Sequence, residues 1–138
     1  MPARYLLDTN ILSDLLKNPG GKAAQKVSAM SPDKRDLLAT SIVVAAELRY
    51  GVAKSGSPNL AVRVGQLLDA VEVLPLEPTA DQHYGRIRYE LEKAGTVIGA
   101  NDLLIAAHAL SIDAILVTAN VREFKRIKGL RVENWLQA

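Results

Sequence analysis

The chain has 138 residues, the size of one typical domain, and we therefore expect a single domain over residues 1–138. Its 49% hydrophobic and 23% charged residues are the proportions of a chain that folds around a core, which excludes a disordered protein. It contains no cysteine, which excludes disulfides, thiolate metal sites and cysteine nucleophiles, and its net charge of +2 permits a polyanionic partner without requiring one.

Apolar runs and segments of helical periodicity alternate along the chain. Residues 5–7 form a short apolar run that predicts a strand, and the apolar residues after it recur at helical spacing. Residues 37–43 predict a second strand that passes into a helix ending near Gly51. The later elements are helices over 60–71 and 80–94 with a strand over 71–76 between them, an apolar helix over 101–110, and strands over 114–117 and 130–132. Three polar segments, 18–21, 31–34 and 55–59, predict loops.

Strands separated by helices predict a mainly parallel sheet with helices on both faces, a three-layer α/β/α fold. Functional sites of such folds usually lie at the carboxyl ends of the strands. The longest uninterrupted apolar runs are five residues, whereas a membrane helix needs roughly 20. Asp8 also interrupts the N-terminus before any apolar signal region can form. We therefore expect a cytoplasmic protein.

Asp8 follows the first predicted strand directly, at its carboxyl end. An aspartate in this position commonly caps the helix that follows. Thr9 and Asn10 are equally capable of capping, so a capping role does not by itself explain Asp8.

Glu47 shares a helix face with Val43 and Val44, three and four residues earlier. A carboxylate on an apolar face costs several kcal/mol, as an order of magnitude, unless its charge is compensated. The structural explanation is an ion pair with Arg49, Arg63 or another basic residue. The functional explanation is a site that uses the charge.

Asp102 begins the apolar helix over 101–110, and Asn120 follows the strand over 114–117. Capping explains Asp102, and a turn explains Asn120, when each is considered alone. Glu123 lies one helical turn beyond Asn120 and is a weaker candidate.

In the predicted sheet, Asp8, Asp102 and Asn120 meet at one edge, and Glu47 enters from a flanking helix. Two carboxylates about 4 Å apart repel by about 4 kcal/mol at an effective dielectric constant near 20, so such a group must share protons or bind a cation. Oxygen ligands favour Mg²⁺ or Mn²⁺ over zinc.

A basic segment follows Asn120. Such a run is usually a solvated surface, but its position would also allow it to steer a phosphate backbone toward the acids. Its members are Arg122, Lys125, Arg126, Lys128 and Arg131.

The chain resembles the PIN-domain ribonucleases of the VapC toxin type, from Tyr5 to Trp135. Four segments in this order carry the resemblance: LLDTN at 6–10, AELRYG at 46–51, IGANDLLIAAHA at 98–109 and LVTANVREF at 116–124.

The resemblance implies a compact α/β/α domain whose acids hold Mg²⁺, or Mn²⁺, and cleave structured RNA such as transfer or ribosomal RNA. Asp8, Glu47 and Asp102 match the acidic positions of the family, and Asp8 and Asp102 are the expected metal ligands. Asn120 stands at the fourth position, which is often aspartate in the family, and Thr118 matches a position that usually holds the site by hydrogen bonds. The resemblance also implies a homodimer and a cognate antitoxin.

Two other functions stay open at this point. Asn120 in place of an acid is compatible with a catalytically impaired PIN-fold protein that binds RNA or an antitoxin. An aspartate after the first strand is also compatible with a phosphoryl acceptor, although Asn10 stands where dehalogenase-type phosphotransferases have a second aspartate.

Overall fold

A computed structural model describes residues 2–137. Its centre is a five-stranded sheet in the order β3-β2-β1-β4-β5, with every neighbouring pair parallel. The strands are β1 (Tyr5–Leu7), β2 (Leu38–Ser41), β3 (Glu72–Leu74), β4 (Ile115–Val117) and β5 (Arg131–Glu133).

Eight helices within residues 2–137 connect these strands. They are α1 (Thr9–Lys17), α2 (Lys22–Ser28), α3 (Pro32–Arg35), α4 (Ile42–Ser55), α5 (Pro58–Ala70), α6 (Ala80–Ala94), α7 (Ala100–Ser111) and α8 (Val121–Phe124). Helix α1 contacts α2, α4 and α5, α4 packs against α5, and α6 packs along α7. Crossover connections between parallel strands are right-handed. The connections from β1 to β2 and β3 run one way across the sheet, and those from β3 to β4 and β5 run the other way, so their helices cover opposite faces. The predicted three-layer α/β/α fold is confirmed.

The strand order reverses between β1 and β4, which are neighbours in the sheet although more than one hundred residues separate them in sequence. Open α/β sheets bind ligands in the crevice at such a switch point, beyond the carboxyl ends of the strands. Asp8 and Thr118 are the residues that follow these two strands directly.

The core lies where the two central strands meet the helices. Leu6, Leu7, Leu116 and Val117 have no exposed surface, and the single phenylalanine, Phe124, is equally buried. Both central strands are therefore apolar on both faces, as expected of strands covered by helices on each side.

The helix predicted to end near Gly51 continues to Ser55. It ends at Gly56, which has φ +65° and donates its backbone N–H to the Val52 carbonyl. This left-handed conformation is one that glycine adopts without a steric penalty, and it is a common helix end. Gly51 stays inside the helix on an exposed position, at a cost of about 1 kcal/mol relative to alanine.

Helix α2 was not predicted, and the predicted loop over 31–34 is largely helical. Helix α2 has seven residues and buries only Ala23, so it leaves no periodic apolar signal. Ser31 caps the short helix α3 through its side chain, with Pro32 at the first helical position, where proline is well tolerated.

No helix within residues 2–137 combines the length and the apolar character that crossing a membrane requires.

Truncating the centre of β4 tests where the stability of the fold resides. We expect Leu116→Ala to lower the free energy of unfolding by about 2–5 kcal/mol, because it removes a fully buried side chain and leaves a cavity. Val62→Ala, at a position that is 58% exposed, is the matched control and should change it by less than about 0.5 kcal/mol. Urea unfolding measures both; equal losses for the two variants would contradict this account of the core.

Candidate active site

Asp8 both caps a helix and lies at the edge of the sheet. Its backbone N–H donates to the Val117 carbonyl at 2.9 Å, which continues the pairing of β1 with β4 by one residue. Its Oδ1 accepts the Thr9 backbone N–H at 2.8 Å and so caps α1. The side chain is only 4% exposed. Asp8 therefore caps α1 and also lies at the carboxyl end of β1.

Thr118 connects the ends of β1 and β4 through its side chain. Its hydroxyl donates to Asp8 Oδ2 at 2.8 Å and accepts the Asn120 backbone N–H at 3.0 Å. It also accepts from Asn10 Nδ2 at 3.3 Å, and Asn10 in turn accepts the Ala119 backbone N–H at 2.9 Å. A hydroxyl offers one donor and two acceptor positions, so all three are used. This network fixes the orientation of Asp8.

Glu47 reaches the same edge from α4. Its Oε1 accepts the Thr9 hydroxyl at 2.8 Å. Within residues 2–137 it forms no ion pair, and Arg63 donates instead to the Leu16 carbonyl. The ion-pair explanation of Glu47 with Arg49 or Arg63 is therefore wrong.

Asp102 lies in the first turn of α7 and is half-buried. Burial, followed by the negative charges of Asp8, Glu123 and Glu47, raises its pKa to about 6 from an ordinary value of 3.8. Burial also raises the pKa of Asp8, and the nearby Glu47 adds to that increase, although hydrogen bonds from Thr118 and Thr9 act in the opposite direction. These acids are thus close enough for their charges to interact. We call the four of them, Asp8, Glu47, Asp102 and Glu123, the carboxylate cluster.

The carboxylate cluster carries negative charge without a paired cation. The ion pairs within residues 2–137 involve none of its members. Groups of titratable residues with mutually raised pKa values are typical of functional sites.

Asn120 is exposed, and its Nδ2 donates to Glu123 Oε2 at 3.1 Å. The amide therefore orients Glu123, whose charge acts on Asp102. From its sequence position, Glu123 was a weaker candidate than Asn120. The available signal was its spacing, because a residue three positions after Asn120, which precedes α8, lies one turn into that helix.

The donor set of the carboxylate cluster fits a hard divalent cation. Its ligand atoms are carboxylate oxygens, which Mg²⁺ and Mn²⁺ prefer, and its charge is uncompensated. Among residues 2–137, no three acidic or histidine side chains are arranged to hold an ion by themselves. Mg²⁺ commonly binds through only one or two carboxylates, with water and substrate phosphates completing its shell. Asp8 and Asp102 could hold an ion in this mode, because Asp8 is the neighbouring charge with the largest effect on the pKa of Asp102.

The basic segment does not act as a unit. Arg131 begins β5 and pairs with Asp113 before β4, at the opposite end of these strands from Asn120. Arg122, in the first turn of α8, is the member of the segment that is nearest to Asn120 in sequence. The part of the segment that is close to the carboxylate cluster is therefore smaller than its sequence suggests.

Removing the Thr118 hydroxyl tests whether it supports Asp8. We expect Thr118→Val to lower the free energy of unfolding by about 1–3 kcal/mol, because the buried Asp8 carboxylate and the Asn120 backbone N–H lose their partner. Thr118→Ser keeps the hydroxyl and should lose less. Urea unfolding compares the two, and a valine variant as stable as the serine variant would show that these hydrogen bonds contribute nothing.

Comparison with known proteins identifies the family. The PIN domain model matches residues 5–130. Ribonuclease VapC2 of Haemophilus influenzae is 41% identical over 135 residues, which cover 96% of this chain and 98% of the relative. The tRNA(fMet)-specific endonuclease VapC of Shigella flexneri is 38% identical over 134 residues, again covering 96% and 98%.

A solved structure extends the likeness to three dimensions. VapBC2 from Rickettsia felis bound to a DNA fragment from their promoter contains a chain with a TM-score of 0.86 and 36% identity, covering 95% of this chain and 98% of that chain. The resemblance found in the sequence is therefore confirmed, and the chain belongs to the PIN-domain family, within its VapC-type ribonucleases.

Proposed function

We propose that this ribonuclease is a divalent-metal-dependent endoribonuclease that acts as the toxin of a toxin–antitoxin pair. The observation that carries the proposal is the carboxylate cluster at the β1–β4 switch point, where burial and uncompensated charge raise the pKa of Asp102 to about 6. A group of unpaired like charges lowers the stability of the fold, so its presence supports a function that uses the charge. Mg²⁺ is the preferred ion, with Mn²⁺ as the alternative.

Each acid has a distinct proposed role. Asp8 and Asp102 hold the metal, which when bound makes water a stronger nucleophile and offsets the charge of the phosphate. Asp8 is already fixed for this by Thr118 and by the N-terminus of α1. Glu47, hydrogen-bonded to the Thr9 hydroxyl, accepts a proton from water at its carboxylate. Asn120 acts by orienting Glu123 and needs no charge of its own.

The proposed substrate is a structured RNA, either transfer or ribosomal RNA. A relative that is 38% identical is named for cleavage of a transfer RNA, which supports this choice. The proposed protein partner is a cognate antitoxin, since the Rickettsia felis relative was solved as VapBC2. We also propose a homodimer, and a cytoplasmic location, where such RNA is found.

Removal of single charges tests the catalytic assignment. We expect Asp8→Asn and Asp102→Asn to lower the rate of RNA cleavage by roughly 100-fold or more, because metal-ion catalysis supplies several kcal/mol of stabilisation. EDTA should abolish cleavage by the wild type. The assay uses purified, antitoxin-free protein and a pool of transfer and ribosomal RNA, with Mg²⁺ or Mn²⁺ added.

Asp36→Asn is the matched control for this assay. Asp36 is exposed and precedes β2, so it lies at the amino ends of the strands, away from the carboxylate cluster. It should cleave like the wild type. Cleavage at the wild-type rate by Asp8→Asn would overturn the assignment. RNA binding that needs neither metal nor Asp8, without cleavage, would favour the catalytically impaired alternative.

The burial of Asp102 and the repulsion within the carboxylate cluster should appear as a pH-dependent stability. Because the pKa of Asp102 is raised in the folded protein, the folded state binds its proton more tightly than the unfolded chain does. The free energy of unfolding therefore falls as the pH rises from about 4 through about 6. In EDTA, we expect Asp102→Asn to raise the Tm relative to the wild type at about pH 7.5, and by less at about pH 5. Thermal unfolding of both proteins at the two pH values measures this; a gain in Tm that is the same at both would contradict it.

A further inference from the structure

A cavity of about 460 Å³ opens next to the carboxylate cluster. It is lined by Thr9, Val43, Ala46, Glu47, Tyr50 and Asn101. Two of its lining residues, Thr9 and Glu47, are joined by the hydrogen bond that places Glu47 at the site. A phosphate bound at the carboxylate cluster would therefore have its own nucleotide, or the next one, at the mouth of this cavity.

The floor of the cavity is a single stripe of α4. Residues 43, 46, 47 and 50 follow the spacing i, i+3, i+4, i+7, which places their side chains on one helix face. The stripe thus carries a carboxylate in its middle and the aromatic ring of Tyr50 at its end. No side-chain hydrogen bond within residues 2–137 engages the Tyr50 hydroxyl or the Asn101 amide.

Tyr50 is 66% exposed, whereas most large apolar side chains of the chain are in the core. An exposed aromatic ring beside a phosphate-cleaving site is the arrangement that single-stranded RNA uses, since unstacked bases pack on aromatic faces. An adjacent amide that can both donate and accept is suited to the polar edge of a base. In this chain Tyr50 supplies the face and Asn101 supplies the amide.

We infer that this cavity binds a nucleobase of the RNA substrate next to the scissile phosphate, stacked on Tyr50 with its edge at Asn101. The inference rests on the proposed ribonuclease function and adds a specificity-determining residue to it. Aromatic residues are only 4% of the chain. The composition therefore allows a single stacking platform, the ring of Tyr50, and not an extended stacking surface. Such a platform selects a base that is unstacked, as in the loop of a structured RNA.

Binding of a short, fluorescein-labelled oligoadenylate tests the platform separately from cleavage. The measurement is fluorescence anisotropy in Mg²⁺, with all variants made in the Asp8→Asn background so that the RNA stays intact. We expect Tyr50→Leu to raise the Kd by roughly 5- to 100-fold, the range that loss of base–aromatic stacking gives. Tyr50→Trp, which keeps an aromatic face, should bind about as tightly as tyrosine.

Tyr89→Leu is the matched control, because Tyr89 is 64% exposed on α6 and does not line the cavity. It should leave the Kd unchanged. All three substitutions are at exposed positions, so their Tm values should equal that of the parent. In the Asp8 wild-type background, Tyr50→Leu should raise the KM for RNA cleavage more than it lowers kcat and should relax the base preference beside the cut.

Each outcome decides between the platform and its alternatives. An unchanged Kd for Tyr50→Leu overturns the inference and leaves the proposed nuclease intact. Equal losses for Tyr50→Leu and Tyr50→Trp, or an effect of Tyr50→Leu on the oligomeric mass rather than on RNA binding, overturn it in favour of an apolar protein contact. Weaker RNA binding by Tyr50→Leu alone, combined with a wild type that cleaves no RNA, supports the platform and rejects the proposed nuclease.

Discussion

The hydrogen bond from Thr118 to Asp8 joins two strands that are distant in sequence and adjacent in the sheet. Its geometry requires β1 and β4 to be in register, with Leu7 opposite Val117. The packing of these two apolar strands between helical layers sets that register, because a slip of one residue would move each buried side chain to the opposite layer and disrupt its packing. The position of Asp8 therefore depends on the packing of Leu6, Leu7, Leu116 and Val117 more than on any contact at the site.

The carboxylate cluster opposes the stability that the core provides. Half-burial and neighbouring charges raise the pKa of Asp102 to about 6. Ionising this carboxyl is therefore less favourable in the folded chain than in the unfolded chain. Neutral hydrogen bonds from Thr9 and Thr118 hold Asp8 and Glu47 in place without cancelling their charge. A lysine or arginine would have removed the repulsion, but it would also have occupied the place of a cation. Strain of this kind is tolerated where it serves a function.

Much of the fold followed from the sequence, because strong apolar patterns determine element type. All five strands were predicted, and their parallel arrangement followed from the helices between them. The errors were local. Helix α2 is too short to show a period, and the end of α4 depends on the conformation of Gly56, which a preceding glycine at position 51 obscured.

The candidate site was only partly predictable, for a physical reason. Positions after strand ends identified Asp8 and Asn120, and the helical face identified Glu47. Contacts between residues that are distant in sequence could not be predicted from the apolar pattern. Nothing in the sequence distinguishes a Glu47 hydrogen-bonded to Thr9 from a Glu47 paired with Arg63. The same limit left Glu123 a weaker candidate than Asn120, because its effect on the pKa of Asp102 and its hydrogen bond from the Asn120 amide are contacts in space.

Helix α4 carries both the proposed catalytic Glu47 and the proposed base-binding Tyr50. One face of this helix carries Glu47 toward the carboxylate cluster, and the next turn of the same face carries Tyr50 toward solvent. The helix begins at a buried strand end, where Ser41 caps it, so both side chains are set by the same rigid element. A base held on Tyr50 would therefore be placed at a fixed offset from Glu47. Such a coupling makes the choice of base and the position of the cut a single geometric property of α4.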